Sequence, residues 1–188
     1  DANFAGTAKS SQCTLIVTEG KSAKPFAVGG IGSIPNGRDL YGIYPLKGKF
    51  INVVTKKPSV VAANVEFNGI KELLGLQSGM DYSIDENFAT LRYGRFMDLV
   101  DSDVDGIHIR ALLINFFYTM YPSLLERDFY VGMKTIAVKV TMGKKVTNFY
   151  ENVLFKRWYY SLPEDERPTK SQIEFFKGLG THEEKTEI

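Results

Sequence analysis

The sequence has little cysteine, little net charge and no long apolar run. Cys13 is the only cysteine in 188 residues, so an internal disulfide is impossible and a reducing, intracellular compartment fits best. No apolar run reaches the roughly 18 residues of a membrane span, so we expect no membrane partner. A net charge of +1 gives no general signal for nucleic-acid binding, so any basic surface must be local.

The length and composition are those of one folded domain. Hydrophobic residues make up 44% of the chain, which is enough for a sizeable core. The chain begins at Asp1 without an initiator Met or a signal-peptide pattern, and residues 183–188 read as the start of a helix that stops abruptly. We therefore expect residues 1–188 to be a single domain, cut from a longer protein.

Hydrophobic periodicity predicts strands and helices that alternate along the chain. Apolar runs at residues 14–18 and 95–100 are typical of buried strands. Helical spacing is present over residues 64–76, 107–125 and 151–161, with Gly75 as a stop and Pro122 as a break. This order predicts an α/β fold, in which helices flank a mostly parallel sheet.

The remaining segments are harder to assign. We predict a short helix capped by Ser22 that ends near Val28, because glycines follow at residues 29–33. Residues 37–39 are predicted to form a turn, residues 40–54 to be extended, and residues 77–90 to form a loop. A hairpin around Gly143 and a last short strand at residues 173–176 would form a small β extension.

Acidic residues follow directly after both predicted strands. Glu19 comes after the first strand, and the run Asp101-Ser102-Asp103-Val104-Asp105 comes after the second. Ligand sites in open α/β sheets form at the carboxyl ends of strands, so neighbouring strands would bring these acids into one crevice. Packed carboxylates repel one another, and Mg²⁺, which prefers oxygen ligands, relieves that repulsion. Phosphodiester chemistry uses such a cation.

Other interpretations of these motifs compete. The acidic run begins like an EF-hand loop, but the twelfth position of that loop needs Glu and is Leu112 here. Gly20-Lys21-Ser22 ends like a P-loop, but Leu15 stands where that motif needs its first Gly. A solvated acidic turn without a ligand stays open, although apolar segments on both sides argue against it.

Several blocks of sequence resemble one known family, in the same order and over nearly the whole chain. They are residues 1–6 (DANFAG), 13–24 (CTLIVTEGKSAK), 38–53 (RDLYGIYPLKGKFINV), 91–94 (LRYG), 101–109 (DSDVDGIHI) and 177–181 (KGLGT). These blocks are similar to the Toprim domain of type IIA DNA topoisomerase II. The block at residues 38–42 resembles the eukaryotic type rather than gyrase. The fold that the resemblance implies is a Rossmann-like, mostly parallel sheet.

The resemblance implies part of an ATP-dependent isomerase that passes one DNA duplex through a transient double-strand break. The nucleophilic Tyr would lie on a winged-helix domain beyond Ile188, so this chain alone is expected to be inactive. ATP would bind elsewhere in the parent protein and not to this domain. The parent would act on double-stranded DNA as a homodimer, in the nucleus if cellular, or in the host cytoplasm or nucleus if viral.

The same resemblance assigns roles to individual residues. Glu19 and Asp101 would hold a catalytic Mg²⁺, and Asp101 and Asp103 a second ion, with Mn²⁺ or Ca²⁺ as substitutes. Glu19 would also act as general acid or base at the ribose 3′-oxygen. Asp105 would support the metal, directly or through water. The positions expected to contact DNA are Lys49, Asn52, Lys21, Arg92, Lys177 and Gly178.

Two of the residues in these blocks also have structural interpretations. His108 is expected to be a packing histidine in an apolar helix more often than a residue that orients the site. Arg92 could equally pair with a surface acid instead of DNA. The aromatic residues of the helix after Asp105, and Trp158, are expected to lie in the core.

The chain also departs from the family pattern. Lys21 stands where Asp is usual, and Asp98 replaces an apolar residue of the second strand. A buried, unpaired Asp98 would be costly, so we predict that it is paired or at an exposed edge. Ile107 replaces a Ser that could cap the helix, and Ile136 replaces a Pro. These changes suggest a divergent member, such as one from a large DNA virus.

Two other functions stay open. A Toprim nuclease or a primase-like module would share the fold and the acids, although the blocks at residues 38–53 and 177–181 argue against it. A scaffold module with a decayed metal site is the other, and Lys21 is its only support.

Overall fold

The main sheet has four parallel strands, as the alternation of strands and helices predicted. The computed structural model describes residues 1–21 and 23–176. The strands run in the order β2-β1-β3-β4, and all three pairings are parallel. Their bounds are β1 Thr14–Thr18, β2 Tyr41–Pro45, β3 Arg95–Leu99 and β4 Tyr130–Gly132.

Helices connect the strands and cover both faces of this sheet. Their bounds are α1 Lys24–Ser33, α2 Gly37–Leu40, α3 Pro58–Ala62, α4 Val65–Leu74, α5 Asp85–Phe88, α6 Val104–Met120, α7 Pro122–Leu125 and α8 Asn152–Ser161. Single 3₁₀ turns lie at Ser10–Gln12, Glu164–Glu166 and Lys170–Gln172.

A second, smaller sheet forms the predicted β extension. Strands β5 Val138–Met142, β6 Lys145–Phe149 and β7 Ile173–Phe175 pair antiparallel in the order β6-β5-β7. Gly143 adopts a φ of +61° in the tight turn between β5 and β6, where a residue without Cβ is favoured. Phe149, Phe155 and Trp158 pack their rings together over this sheet, which agrees with the expected core position of Trp158.

The core divides across the main sheet because strand side chains alternate between faces. Ile16 and Leu99 face α1, where they pack with Phe26 and Ile31. The opposite face is covered by α4 and α6 and is the larger of the two. Its fully buried aromatic side chains are Tyr82, Tyr93, Phe96, Phe116, Phe117, Tyr121 and Phe129.

Several predicted boundaries were wrong. Helix α1 does not end near Val28 but continues through the glycines to Ser33, because Phe26 and Ile31 are buried on its inner face. Its N-cap is Ala23, and Ser22 lies outside the described residues. The extended chain expected over residues 40–54 is limited to β2, residues 37–40 form α2, and residues 85–88 of the predicted loop form α5.

The prediction for the long apolar helix was nearly correct. Helix α6 begins at Val104 instead of residue 107, and Tyr121 separates it from α7 at the predicted break. The earlier start places the end of the acidic run inside the first helical turn.

Candidate metal centre

The strands β1 and β3, which end in acidic residues, lie side by side. Thr18 pairs with Leu99 in the parallel register, and the Glu19 backbone N–H donates to the Leu99 carbonyl at 3.3 Å. The Glu19 side chain reaches the acidic run, where its Oε2 accepts a hydrogen bond from the Asp101 backbone N–H at 3.4 Å. The structure therefore brings Glu19 and Asp101 to the same edge of the sheet, as sites in α/β folds require.

A tight turn holds Glu19 at this edge. Gly20 has a φ of +67°, in the left-handed region that favours glycine. The Thr18 hydroxyl donates to the Gly20 carbonyl at 3.1 Å and closes the turn. The chain therefore reverses directly after Glu19, and the half-buried carboxylate stays beside the end of the strand.

Asp103 caps the helix that follows the acidic run. Its Oδ1 accepts a hydrogen bond from the Gly106 backbone N–H at 2.9 Å, and this carboxylate lies at the positive end of the α6 dipole. Asp103 therefore does the capping that the family Ser at position 107 was expected to do. Gly106 is buried against the backbone of Asp101 so closely that a Cβ at this position would overlap the Asp101 carbonyl oxygen.

Lys49 connects the loop after β2 to the acidic run. Its ammonium Nζ lies 2.7 Å from Asp105 Oδ1 and 3.5 Å from His108 Nδ1. Hydrogen bonding to Lys49 lowers the pKa of the Asp105 carboxyl. His108 is exposed, so its interpretation as a packing histidine was wrong: this side of the first turns of α6 is open to solvent.

The carboxylates at the open edge of the sheet repel one another. Burial raises the pKa of Glu19, the hydrogen bond from the Asp101 N–H opposes this effect, and repulsion from Asp101, Asp103 and Asp105 raises the pKa further. A carboxylate so placed gains from a nearby cation, because the cation offsets the repulsion of three neighbours.

A magnesium ion that keeps most of its water needs only a small set of protein ligands. Among residues 1–21 and 23–176, no three Asp, Glu, His or Cys side chains converge closely enough to hold a metal by themselves. Mg²⁺ is commonly bound by one or two carboxylates, with water and substrate phosphates as its other ligands. The neighbouring Glu19 and Asp101 fit that smaller set. The metal roles of Glu19, Asp101, Asp103 and Asp105 stay predictions.

Of the positions expected to contact DNA, Lys49 and Lys21 are the exposed cations at this edge. Lys21 lies in the turn after Gly20, and the side chain of Lys49 is 50% exposed despite its ion pair. Lys177 and Gly178 lie outside the part of the chain that the structure describes. Contact of these residues with DNA stays a prediction.

Asn52 and Arg92 take part in structural contacts within the protein. Asn52 Oδ1 accepts hydrogen bonds from the backbone N–H groups of Val54 and Thr55 at 3.1 and 3.2 Å, so its carbonyl holds the loop after β2. Arg92 Nη2 lies 2.8 Å from Asp1 Oδ2, the surface pairing that was the alternative to DNA contact.

Asp98 is paired, as predicted, and it is fully buried in β3. Its partners are Arg110 and Tyr130, for which no sequence motif gave a signal. An acid inside an apolar strand signals that a partner must exist. The identity of that partner depends on how α6 and β4 pack against β3, which no local pattern contains.

The comparisons with known proteins agree with this geometry. A family model described as "Toprim domain" matches residues 14–148. The chain is 43% identical over 181 residues to DNA topoisomerase 2 top-2 of Caenorhabditis elegans and, equally, to DNA topoisomerase 2-alpha of Homo sapiens. In each case the match covers 96% of this chain and 12% of the relative, so the chain spans about an eighth of their length.

A solved structure is also similar over nearly the whole chain. The Plasmodium falciparum topoisomerase II DNA-binding, cleavage and re-ligation domain superposes with a TM-score of 0.82 at 35% identity, over 98% of this chain and 24% of that one. No helix among residues 1–21 and 23–176 has the length and hydropathy needed to cross a bilayer. The viral origin stays a prediction. The chain belongs to the Toprim domain family, and the relatives that it resembles are eukaryotic DNA topoisomerases II.

Proposed function

We propose that this chain is the metal-binding DNA cleavage and religation module of an ATP-dependent type II DNA topoisomerase. The parent enzyme would pass one duplex through a transient double-strand break in another. The observation that supports this most is the hydrogen-bonded placement of Glu19 beside Asp101, at the ends of two parallel strands of a Toprim domain. The similar proteins support it too: one is a DNA topoisomerase 2, and another is a topoisomerase II DNA-binding, cleavage and re-ligation domain.

In this proposal Glu19 and Asp101 hold Mg²⁺, for which Mn²⁺ or Ca²⁺ can substitute. Asp103 and Asp105 follow along the same run and add to the negative field at Glu19. When bound, the ion would supply positive charge to neutralise the scissile phosphate and polarise the ribose 3′-oxygen. ATP would bind to another part of the parent protein.

Glu19 has the surroundings of a proton donor as well as those of a ligand. Burial raises the pKa of its carboxyl above the ordinary value, which is the direction that favours a general acid. In cleavage, Glu19 would donate a proton to the leaving 3′-oxygen of the ribose. In religation, its carboxylate would take a proton from the 3′-hydroxyl as that oxygen attacks the phosphorus of the phosphotyrosine, and the bond from phosphorus to the Tyr oxygen would break and release the Tyr.

Lys49 would supply the positive charge that meets the DNA backbone. Its ion pair with Asp105 is exposed on both sides, and such pairs exchange partners at little cost. A DNA phosphate would therefore compete with Asp105 for the ammonium group. The duplex would lie across the open edge that carries Glu19, and Lys21 would approach it from the neighbouring turn.

The partners and location follow from the same proposal. The parent would be an intracellular homodimer that binds double-stranded DNA, with the nucleophilic Tyr on another domain.

The test is a pair of alanine variants in the full-length parent enzyme. Glu19→Ala should lower Mg²⁺-dependent DNA cleavage and relaxation by about 100-fold or more, the usual effect of removing an acid–base group. Glu86→Ala, which removes an exposed acid on α5, is the matched control and should leave both activities unchanged. Undiminished cleavage by the Glu19 variant would overturn the proposal.

A further inference from the structure

Asp98 is a fully buried acid in the middle of the main sheet. It lies on β3, which has β1 on one side and β4 on the other, and its exposed fraction is 0%. The flanking Met97 and Leu99 are apolar, as is usual for such a strand. A charged group at this depth persists only when its partners satisfy it.

The partners of Asp98 come from two other elements. Arg110 of α6 places Nε and Nη2 at 2.7 and 2.6 Å from Asp98 Oδ1. The Tyr130 hydroxyl of β4 donates to Oδ2 at 2.6 Å. Arg110 Nη2 also donates to the Met133 carbonyl at 2.6 Å, so the guanidinium joins α6 to the chain after β4. Both oxygens of the buried carboxylate therefore accept charge-assisted hydrogen bonds.

The members of this cluster are close to the candidate metal centre. In sequence, Asp98 precedes the acidic run and Arg110 follows it, and in space the cluster lies beside the run. The acidic run stands between Asp98 and Arg110 in the chain, so their ion pair closes the loop that carries it. Arg110 and Asp101 line the same cavity of about 490 Å³. Ser102, also in that lining, lies 3.1 Å from the Thr135 hydroxyl, which fastens the run to the segment after β4.

The backbone around the cluster is adapted to it. A Cβ at Gly132 would lie 3.3 Å from Asp98 Oδ2 and 3.4 Å from Arg110 Nε, closer than most real Cβ contacts. A side chain at this point of β4 would require the Asp98 and Arg110 side chains to shift by a few tenths of an ångström.

We propose that Asp98, Arg110 and Tyr130 are positioning residues that fix the first turns of α6 on β3 and thereby set the place of the Asp101 and Asp103 carboxylates relative to Glu19. Hydrogen bonds of a buried ion pair are directional and specify one register of the helix on the strand, whereas apolar packing is not directional. This inference rests on the proposed function, because it concerns the carboxylates assigned to the metal.

The test separates positioning from stability in the full chain. The variants are Asp98→Leu, Arg110→Leu and the double variant, with Arg110→Lys as the conservative change. Each is measured for its thermal midpoint and for its affinity for Mn²⁺. Arg110→Leu leaves the fully buried Asp98 carboxylate without its cation, so this variant should unfold at a clearly lower temperature. Asp98→Leu leaves Arg110, whose side chain is 25% exposed, and should lower the thermal midpoint less.

The double variant is the decisive one. Removing both charges commonly recovers stability, so its thermal midpoint should rise above that of Arg110→Leu. It should stay below wild type, because the Tyr130 hydroxyl loses its acceptor. Its Mn²⁺ affinity should nevertheless stay about tenfold or more below wild type, as for other residues that orient metal ligands. Arg110→Lys keeps the charge but loses the contact through two nitrogens. Its Mn²⁺ affinity should lie between those of the wild type and the double variant.

Tyr130→Phe provides a second measurement should the double variant not fold. It removes a single hydrogen bond and keeps the ring packing with Phe96 and Phe117, so the fold should persist with weaker Mn²⁺ binding. Mn²⁺ affinity equal to wild type in the double variant or in Tyr130→Phe would overturn the positioning role alone. Absence of saturable Mn²⁺ binding in the wild type would overturn the proposed function and this inference together.

Discussion

Gly106 offers a sharp test of how tightly the acidic run is folded onto α6. It lies in the first turn of the helix and is buried. A Cβ at this position would overlap the Asp101 carbonyl oxygen and lie 2.9 Å from the Asp101 carbonyl carbon and amide nitrogen. These are backbone atoms, which cannot rotate away as the end of a side chain can. Gly106→Ala therefore has to move either the acidic run or the helix.

Two opposing effects determine how much Gly106→Ala changes the free energy of unfolding. Replacing Gly by Ala within a helix contributes about 1 kcal/mol of stability. Overpacking against rigid surroundings costs about 1–3 kcal/mol. The net loss should therefore reach up to about 2 kcal/mol, which corresponds to a midpoint lowered by about 4–8 °C in a chain of this size. The displaced run should also bind Mn²⁺ more weakly.

Gly32→Ala is the matched control, because Gly32 lies in α1 with nothing within 4 Å of the added Cβ. The free energy of unfolding of this variant should rise by about 0.5–1 kcal/mol, because Ala has a higher helix propensity than Gly. It should bind Mn²⁺ as the wild type does. Thermal unfolding followed by circular dichroism, with Mn²⁺ titration of both variants, is the assay. If Gly106→Ala raised the midpoint as Gly32→Ala does, the close packing of Gly106 on Asp101 would be refuted.

Three further variants test other parts of the molecule. Phe116→Ala should lower the free energy of unfolding in urea by about 3–5 kcal/mol, because its ring is fully buried among other rings; a loss under about 1 kcal/mol would contradict the core packing. Lys49→Met should change that free energy by less than about 1 kcal/mol, because its ion pair with Asp105 is exposed. The same variant should also reduce the magnitude of the slope of log DNA affinity against log salt concentration by about 1. An unchanged slope would exclude a contact between Lys49 and a DNA phosphate. Burial, and then the Glu66 carboxylate, raise the pKa of Tyr44 from 10 to about 12, so the folded state keeps this proton longer than the unfolded state. Stability should therefore fall as the pH rises from 10 to about 12, with a smaller fall in Tyr44→Phe, and equal alkaline profiles would refute the shift.

The parts of the fold that the sequence predicted are those with a strong local signal. Residues 14–18 form a continuous apolar run and therefore a buried strand, and Gly75 ends α4 in the left-handed conformation expected of a stop. The rule that sites form at the carboxyl ends of strands predicted one crevice for Glu19 and Asp101 if their strands were neighbours, and β1 and β3 are neighbours. These features depend on neighbours in sequence and on general rules of sheet topology.

The parts that sequence reasoning missed depend on contacts between distant residues. Helix α1 continues through its glycines because the tertiary burial of Phe26 and Ile31 outweighs the low helix propensity of glycine. The Lys49–Asp105 pair joins residues 56 positions apart. The partners of Asp98 come from α6 and β4, so the sequence could require a partner for this acid but not identify one.

The central claim is that the edge formed by Glu19 and Asp101 binds a divalent cation, and calorimetric titration with Mn²⁺ tests it most directly. Wild type should bind saturably and gain about 2.7 kcal/mol of stability at a free Mn²⁺ concentration 100 times the Kd. Glu19→Gln, which keeps the shape and removes the charge, should lose this binding, whereas Glu86→Gln should keep it. Absence of saturable binding in the wild type would contradict the account and favour a scaffold with a decayed metal site, the alternative that the exposed Lys21 supports.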